Sequence, residues 1–198
     1  MTSKETPPTY HSELKSQINI LWQEAIDKEL KNMYLLKVLD MLKLHKDYKL
    51  VGTTWVFKMK RNDLNEPIEY KACLCAQGFM QSMGIGFNKT YEPMGCLSLL
   101  RKLEAFACAK KLQFHQIDIK SAFLNAELSE TVYLVVPQGL QLDKKKFCLR
   151  LNKAIHCLRQ EPLAWYEQLK NWLNLDKFSV STLDPCIFYR EGSTPISL

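Results

Sequence analysis

Asp118 ends an apolar stretch in the run Gln116-Ile117-Asp118-Ile119-Lys120-Ser121-Ala122-Phe123-Leu124-Asn125, and an aromatic ring follows it five positions on. A carboxylate delivered by the end of a strand is a hard oxygen donor of the kind that Mg²⁺ selects. Taken alone, an aspartate in such a place more often caps a turn or a helix. A second set of residues carries positive charge. Lys58 and Lys60 lie in Thr53-Thr54-Trp55-Val56-Phe57-Lys58-Met59-Lys60, and Lys71 lies in the next β-forming run, 69–76. Ammonium groups on such a hairpin suit phosphate oxygens, the competing reading being a solvated face. Tyr133, Trp165 and Tyr166 are rings of the kind that bases stack on, with core packing the better reading for each.

Seven cysteines is an odd number without a paired framework. Cys73-x-Cys75 puts two thiols on one side of a strand, but no second Cys or His pair stands at zinc spacing, so no zinc is expected. Cys108 reads as helix core and His115 as strand packing. Residues 1–11 contain no apolar leader, so no secretory signal is read and the thiols are expected free in a reducing compartment. No apolar run approaches the roughly 20 residues of a membrane span.

The 198 residues are 46% hydrophobic, enough for one globular domain or two lobes sharing a core. The formal charge of +6 excludes little by itself. Its placement says more: Lys43, Lys46, Lys49, Lys58, Lys60 and Arg61 form one basic cluster, and Lys144, Lys145, Lys146, Arg150 and Lys153 another.

The elements that must position these groups follow from periodicity. Ile18, Trp22, Ala25, Ile26 and Leu30 predict an amphipathic helix over 13–33, after a tail at 1–12. Residues 35–44 fit helix or strand. The runs 53–60 and 69–76, joined by Asn62-Asp63-Leu64-Asn65-Glu66-Pro67, predict a hairpin. A loop holding Gly84 and Gly86 leads to a helix N-capped by Ser98 and running to about 111, with Leu99, Leu103, Phe106 and Ala107 on its buried face. Residues 112–119 are the strand expected to deliver Asp118. The segments 132–136 and 146–151 pair, Pro162 opens a helix to about 174 packed by Trp165, Leu169 and Trp172, and 185–190 is a last strand. Irregularly mixed elements argue for an α+β fold.

Six ordered segments together closely resemble the reverse transcriptase of copia-type retrotransposons. They are Gly52-Thr53-Thr54-Trp55-Val56-Phe57-Lys58, following Trp22-Gln23-Glu24-Ala25; Tyr70-Lys71-Ala72-Cys73-Leu74-Cys75-Ala76-Gln77-Gly78-Phe79; the Asp118 run; Val132-Tyr133-Leu134 through Pro137-Gln138-Gly139; Leu158-Arg159-Gln160-Glu161-Pro162-Leu163-Ala164-Trp165-Tyr166; and Asp184-Pro185-Cys186-Ile187-Phe188-Tyr189. The resemblance implies a right-hand polymerase architecture with fingers over about 13–94 and 126–157, part of a palm over about 95–125 and 158–198, and no thumb. It implies Asp118 as catalytic metal ligand in a two-Mg²⁺ site, with the Ile119 carbonyl beside it. It places Phe123 under the sugar of the incoming nucleotide, Lys58, Lys60 and Lys71 at the triphosphate, and Arg159 at nucleotide or template. The implied partners are a template-primer of RNA or DNA and a dNTP, with no membrane, in an intracellular product of a pol polyprotein that is not secreted.

The sequence also departs from that pattern. Cys73 stands where the resemblance expects arginine, His156 where it expects tyrosine, Cys157 where it expects glycine, and Glu161 where it expects a small residue beside a phosphate path. After Tyr189 a Tyr-x-Asp-Asp turn is expected, whereas the sequence continues Arg190-Glu191-Gly192 to Leu198 without one. Asp118 alone does not hold two ions, so the chain by itself is expected not to polymerise. The alternatives are a non-catalytic nucleic-acid binder and a structural remnant without ligand.

Overall fold

The computed structural model describes residues 10, 19–82, 87, 89–93, 95–190 and 196–197. The expected tail, the first turns of the 13–33 helix, and Gly84 and Gly86 lie outside them, Tyr10 excepted. The order of the elements is α1 (Asn19–Leu35), β1 (Leu39–Lys43), β2 (Leu50–Val51), β3 (Thr53–Arg61), β4 (Pro67–Ala76), α2 (Leu97–Ala109), β5 (Glu127–Leu134), β6 (Phe147–Lys153), α3 (Glu161–Leu175), β7 (Ser179–Val180), β8 (Ile187–Tyr189) and β9 (Ile196–Ser197). Helix and sheet are mixed as α+β. The ambiguous stretch 35–44 resolves into the end of α1 and the strand β1.

Three sheets form. β1, β6, β5 and β2 make one in that order, β3 and β4 make a two-stranded ribbon, and β7, β8 and β9 make a third. The ribbon is the hairpin that the sequence predicts, with Trp55 opposite Leu74 and Phe57 opposite Ala72. Its turn is built by Asn62, whose side-chain oxygen accepts from the Leu64 and Glu66 amides at 3.1 and 2.8 Å. Alternation along β3 sends Trp55 and Phe57 inward and Val56, Lys58 and Lys60 out.

One hydrophobic core joins α1, the ribbon and the four-stranded sheet, drawing on Trp22, Ile26, Phe57, Leu74, Leu134, Leu151 and Ile155. Trp22 is fully buried, edge-on to Phe57 at 5.3 Å and to Tyr70 at 4.8 Å. The ribbon is also tied to the stretch after β6. Cys75 and His156 form a parallel bridge, and the Ala76 amide donates to the His156 carbonyl at 2.9 Å. At Gly78 a Cβ would collide with the Cys157 carbonyl, which is why the chain needs glycine at that crossing.

Two expectations fail together. Residues 112–119 form no strand, and Leu112, Phe114, His115, Ile117 and Ile119 are exposed, Ile117 at 84%. A strand needs a neighbour to satisfy its backbone groups, and no described strand runs beside this segment. Helix α2 forms, but it starts at Leu97 with Cys96, not Ser98, at the N-cap. Its expected face is covered in part: Ala107 is buried and Leu99 and Leu103 half-buried, while Phe106 is exposed, as is Cys108, which was expected in the core.

Candidate functional site

The outward face of the ribbon is basic. Lys58 lies directly opposite Lys71, and Lys60 opposite Glu69. Two like charges paired across strands destabilise a ribbon unless an anion joins them. Lys60 is satisfied within the protein, its Nζ 2.6 Å from Glu69 Oε2. That hydrogen bond, then the charge of Glu69, hold the Lys60 ammonium above its usual range, with a further contribution from Asp118. Asp118 is therefore close enough to the ribbon for its charge to be felt there.

Asp118 is exposed and precedes a tight turn. Ser121, at φ 54°, opens the 3₁₀ turn Ala122–Asn125. Asn32 Nδ2 of α1 donates to Ser121 Oγ at 2.9 Å, and Asn125 Nδ2 donates to the Ser121 carbonyl at 3.1 Å. The turn after Asp118 is thus fixed, while the segment before it is not paired. Phe123 is half-buried, edge-on to His156 at 5.5 Å. Ile119 is exposed beside Asp118. Among the described residues, Asp118 belongs to no group of three metal-ligating side chains.

Arg159 stands apart from the lysines and braces the loop after β4. Its Nε donates to the Gly78 carbonyl at 3.1 Å, its amide donates to Gln81 Oε1 at 3.1 Å, and its guanidinium lies 5.5 Å from the Phe87 ring centre. Glu161, the departure from an expected small residue, turns its carboxylate inward. It is buried at the start of α3, where Oε2 accepts the Cys157 amide at 2.6 Å and Oε1 lies 3.4 Å from His156 Nδ1. Cys157 takes a left-handed φ of 70°, the physical reason that a glycine is expected there. The stacking candidates are engaged internally: Tyr133 stacks on Tyr48 at 4.0 Å, Trp165 meets Trp172 edge-on at 5.7 Å, and Tyr166 Oη donates to the Pro185 carbonyl at 3.0 Å.

Known proteins share this sequence over most of its length. Residues 36–197 match the family model of reverse transcriptase (RNA-dependent DNA polymerase), and the chain belongs to that family. Its relatives are copia-type Pol polyproteins. It is 28% identical over 171 residues, 86% of this chain, to the Retrovirus-related Pol polyprotein from transposon TNT 1-94 of Nicotiana tabacum. It is 32% identical over 140 residues, 70% of this chain, to that from transposon RE1 of Arabidopsis thaliana. With the Transposon Ty1-BL Gag-Pol polyprotein of Saccharomyces cerevisiae it shares 27% over 177 residues, 83% of this chain. The matched regions span 13%, 10% and 9% of those polyproteins, so the chain corresponds to a small part of each. No solved structure matches it. No described helix is long and apolar enough to cross a membrane.

Proposed function

We propose that these residues are the fingers (about 13–94 and 126–157) and part of the palm (about 95–125 and 158–198) of a right-hand polymerase, and that on their own they bind nucleic acid or dNTP phosphates without polymerising. The observation that carries this is the Lys58–Lys71 cross-strand pair, two exposed ammonium groups on one face that a phosphate can bridge. Lys60, paired with Glu69, lies on the same face, and Arg159 supports the loop after β4. Phe123 and the Ile119 carbonyl are the proposed contacts to the nucleotide sugar and the metal.

The inherited reaction is Mg²⁺-dependent dNTP addition to a primer on an RNA or DNA template, within an intracellular retrotransposon product. Asp118 fits one hard-oxygen ligand of that site. Among the described residues it belongs to no group of three possible ligands, and these 198 residues hold no Tyr-x-Asp-Asp sequence. The donor set present does not complete a Mg²⁺ site, and no catalytic step is assigned through one.

Fluorescence anisotropy with a labelled primer-template tests the reading. Affinity should fall steeply with salt, and Lys58→Ala or Lys71→Ala should each weaken binding and lower the logarithmic salt slope by about one. Asp118→Asn should leave binding intact, and primer extension with Mg²⁺ should be absent. Salt-independent binding, or lysine variants that bind as the wild type does, would sink it.

A further inference from the structure

Glu29, Cys73 and His156 each offer one metal-ligating atom to a group whose members lie within 4.8 Å of one another. The three come from separate elements: the middle of α1, the outer part of β4 and the turn after β6. Their convergence follows from packing already described. Trp22 seats α1 on the ribbon, and the Cys75–His156 bridge draws the turn onto the edge of β4. All three residues are half-buried.

Several features distinguish this group from chance neighbours. Glu29 Oε1 is buried without a hydrogen-bond partner. An orphaned carboxylate oxygen in such a place is destabilising until a positive group reaches it. Burial pushes the Glu29 carboxyl above its usual range, offset only in part by His156, the Leu74 amide and Lys71. Burial likewise pushes the Cys73 thiol up. His156 has its Nδ1 beside Glu161, and Glu161 is itself held by the Cys157 amide. A carboxylate beside one imidazole nitrogen orients the ring and leaves the other able to bind a cation.

The donor chemistry selects the cation. One sulfur, one imidazole nitrogen and one carboxylate oxygen suit zinc and its neighbours and are wrong for Mg²⁺. Tetrahedral bonds of about 2.0–2.3 Å would set the donor atoms about 3.3–3.8 Å apart. Side-chain rotation of about an ångström closes the present group to that size. We infer that Glu29, Cys73 and His156 form a three-ligand site for a zinc-class divalent cation, with the fourth position open to water. Such an ion ties α1 to the edge of β4 and, through Glu161, to the start of α3. The site does not include Asp118, but it adjoins the basic face: Cys73 lies two residues from Lys71, and His156 packs edge-on to Phe123.

The test uses the full 198-residue chain, stripped with chelator and titrated with Zn²⁺ by calorimetry and with Co²⁺ by absorbance. One zinc per chain is expected, with a sulfur-to-cobalt charge-transfer band, a raised melting temperature and no competition from Mg²⁺. Cys73→Ser and His156→Ala should each weaken zinc binding by more than tenfold, Glu161→Gln by about tenfold, and Cys96→Ser not at all. Absence of stoichiometric zinc, or unchanged affinity in Cys73→Ser and His156→Ala with intact circular dichroism, overturns the site. Should those variants unfold, alkylation of the wild-type chain decides: zinc must slow modification of Cys73, mapped by mass spectrometry, and failure to do so overturns it.

Discussion

Cys157 shows how one residue records a backbone demand. It holds a φ of 70°, where a Cβ is strained by about 1–2 kcal/mol. Cys157→Gly should therefore raise stability by about 1 kcal/mol, read as a higher urea midpoint with unchanged slope. A second residue-level effect concerns acid. Asp40 Oδ2 receives the Arg150 guanidinium at 2.6 Å from the facing strand. The hydrogen bond from Arg150, then that from Asn152, hold the Asp40 carboxyl below its ordinary value. A lowered carboxylate pKa gives stabilisation that is full above the ordinary range near about pH 4 and lost as pH falls through the lowered value. Urea midpoints measured from pH 6 downward should drop more steeply for the wild type than for Asp40→Asn. Both partners are partly exposed, so the effect is modest.

Elements differ in how far their neighbours can be foreseen. The β3–β4 hairpin was legible because alternation and turn chemistry are local, and so was α3, opened by Pro162. The β5–β6 pairing also formed as expected, with Val132 opposite Leu151. Residues 112–119 carry an apolar pattern just as clear and stay unpaired, since alternation specifies a face but supplies no partner strand. The same limit applies to the sites. Asp118 and the lysines stood out by motif, whereas Glu29 and His156 are single residues brought to Cys73 only by packing, and no spacing announces them. Helix α1 holds that packing together through Trp22. Trp22→Ala should cost about 3–5 kcal/mol in chemical denaturation. Trp22→Phe should cost less, because the indole Nε1 is buried without a partner and its loss removes an unsatisfied donor.

At the scale of the whole molecule, a packed core coexists with exposed apolar side chains. Phe106, Phe114 and Ile117 are 49%, 58% and 84% exposed on α2 and the segment that follows it. Exposed apolar surface favours association. The purified chain should bind a hydrophobic dye and self-associate in sedimentation velocity, and Phe114→Ser with Ile117→Ser should suppress both without altering zinc binding. Monomeric behaviour of the wild type at high concentration would refute this. The packed part has its own consequence. The loop after β4 is locked by bonds between residues 78–81 positions apart, Arg159 to Gly78, Arg159 to Gln81 and Gln81 to Gln160. On a ribosome adding about 5–20 residues per second, the ribbon therefore waits about 4–16 seconds after its own synthesis before the residues that clamp it exist. During that interval helix α1, already made, can cover the ribbon through Trp22, while the loop after β4 has no clamp of its own.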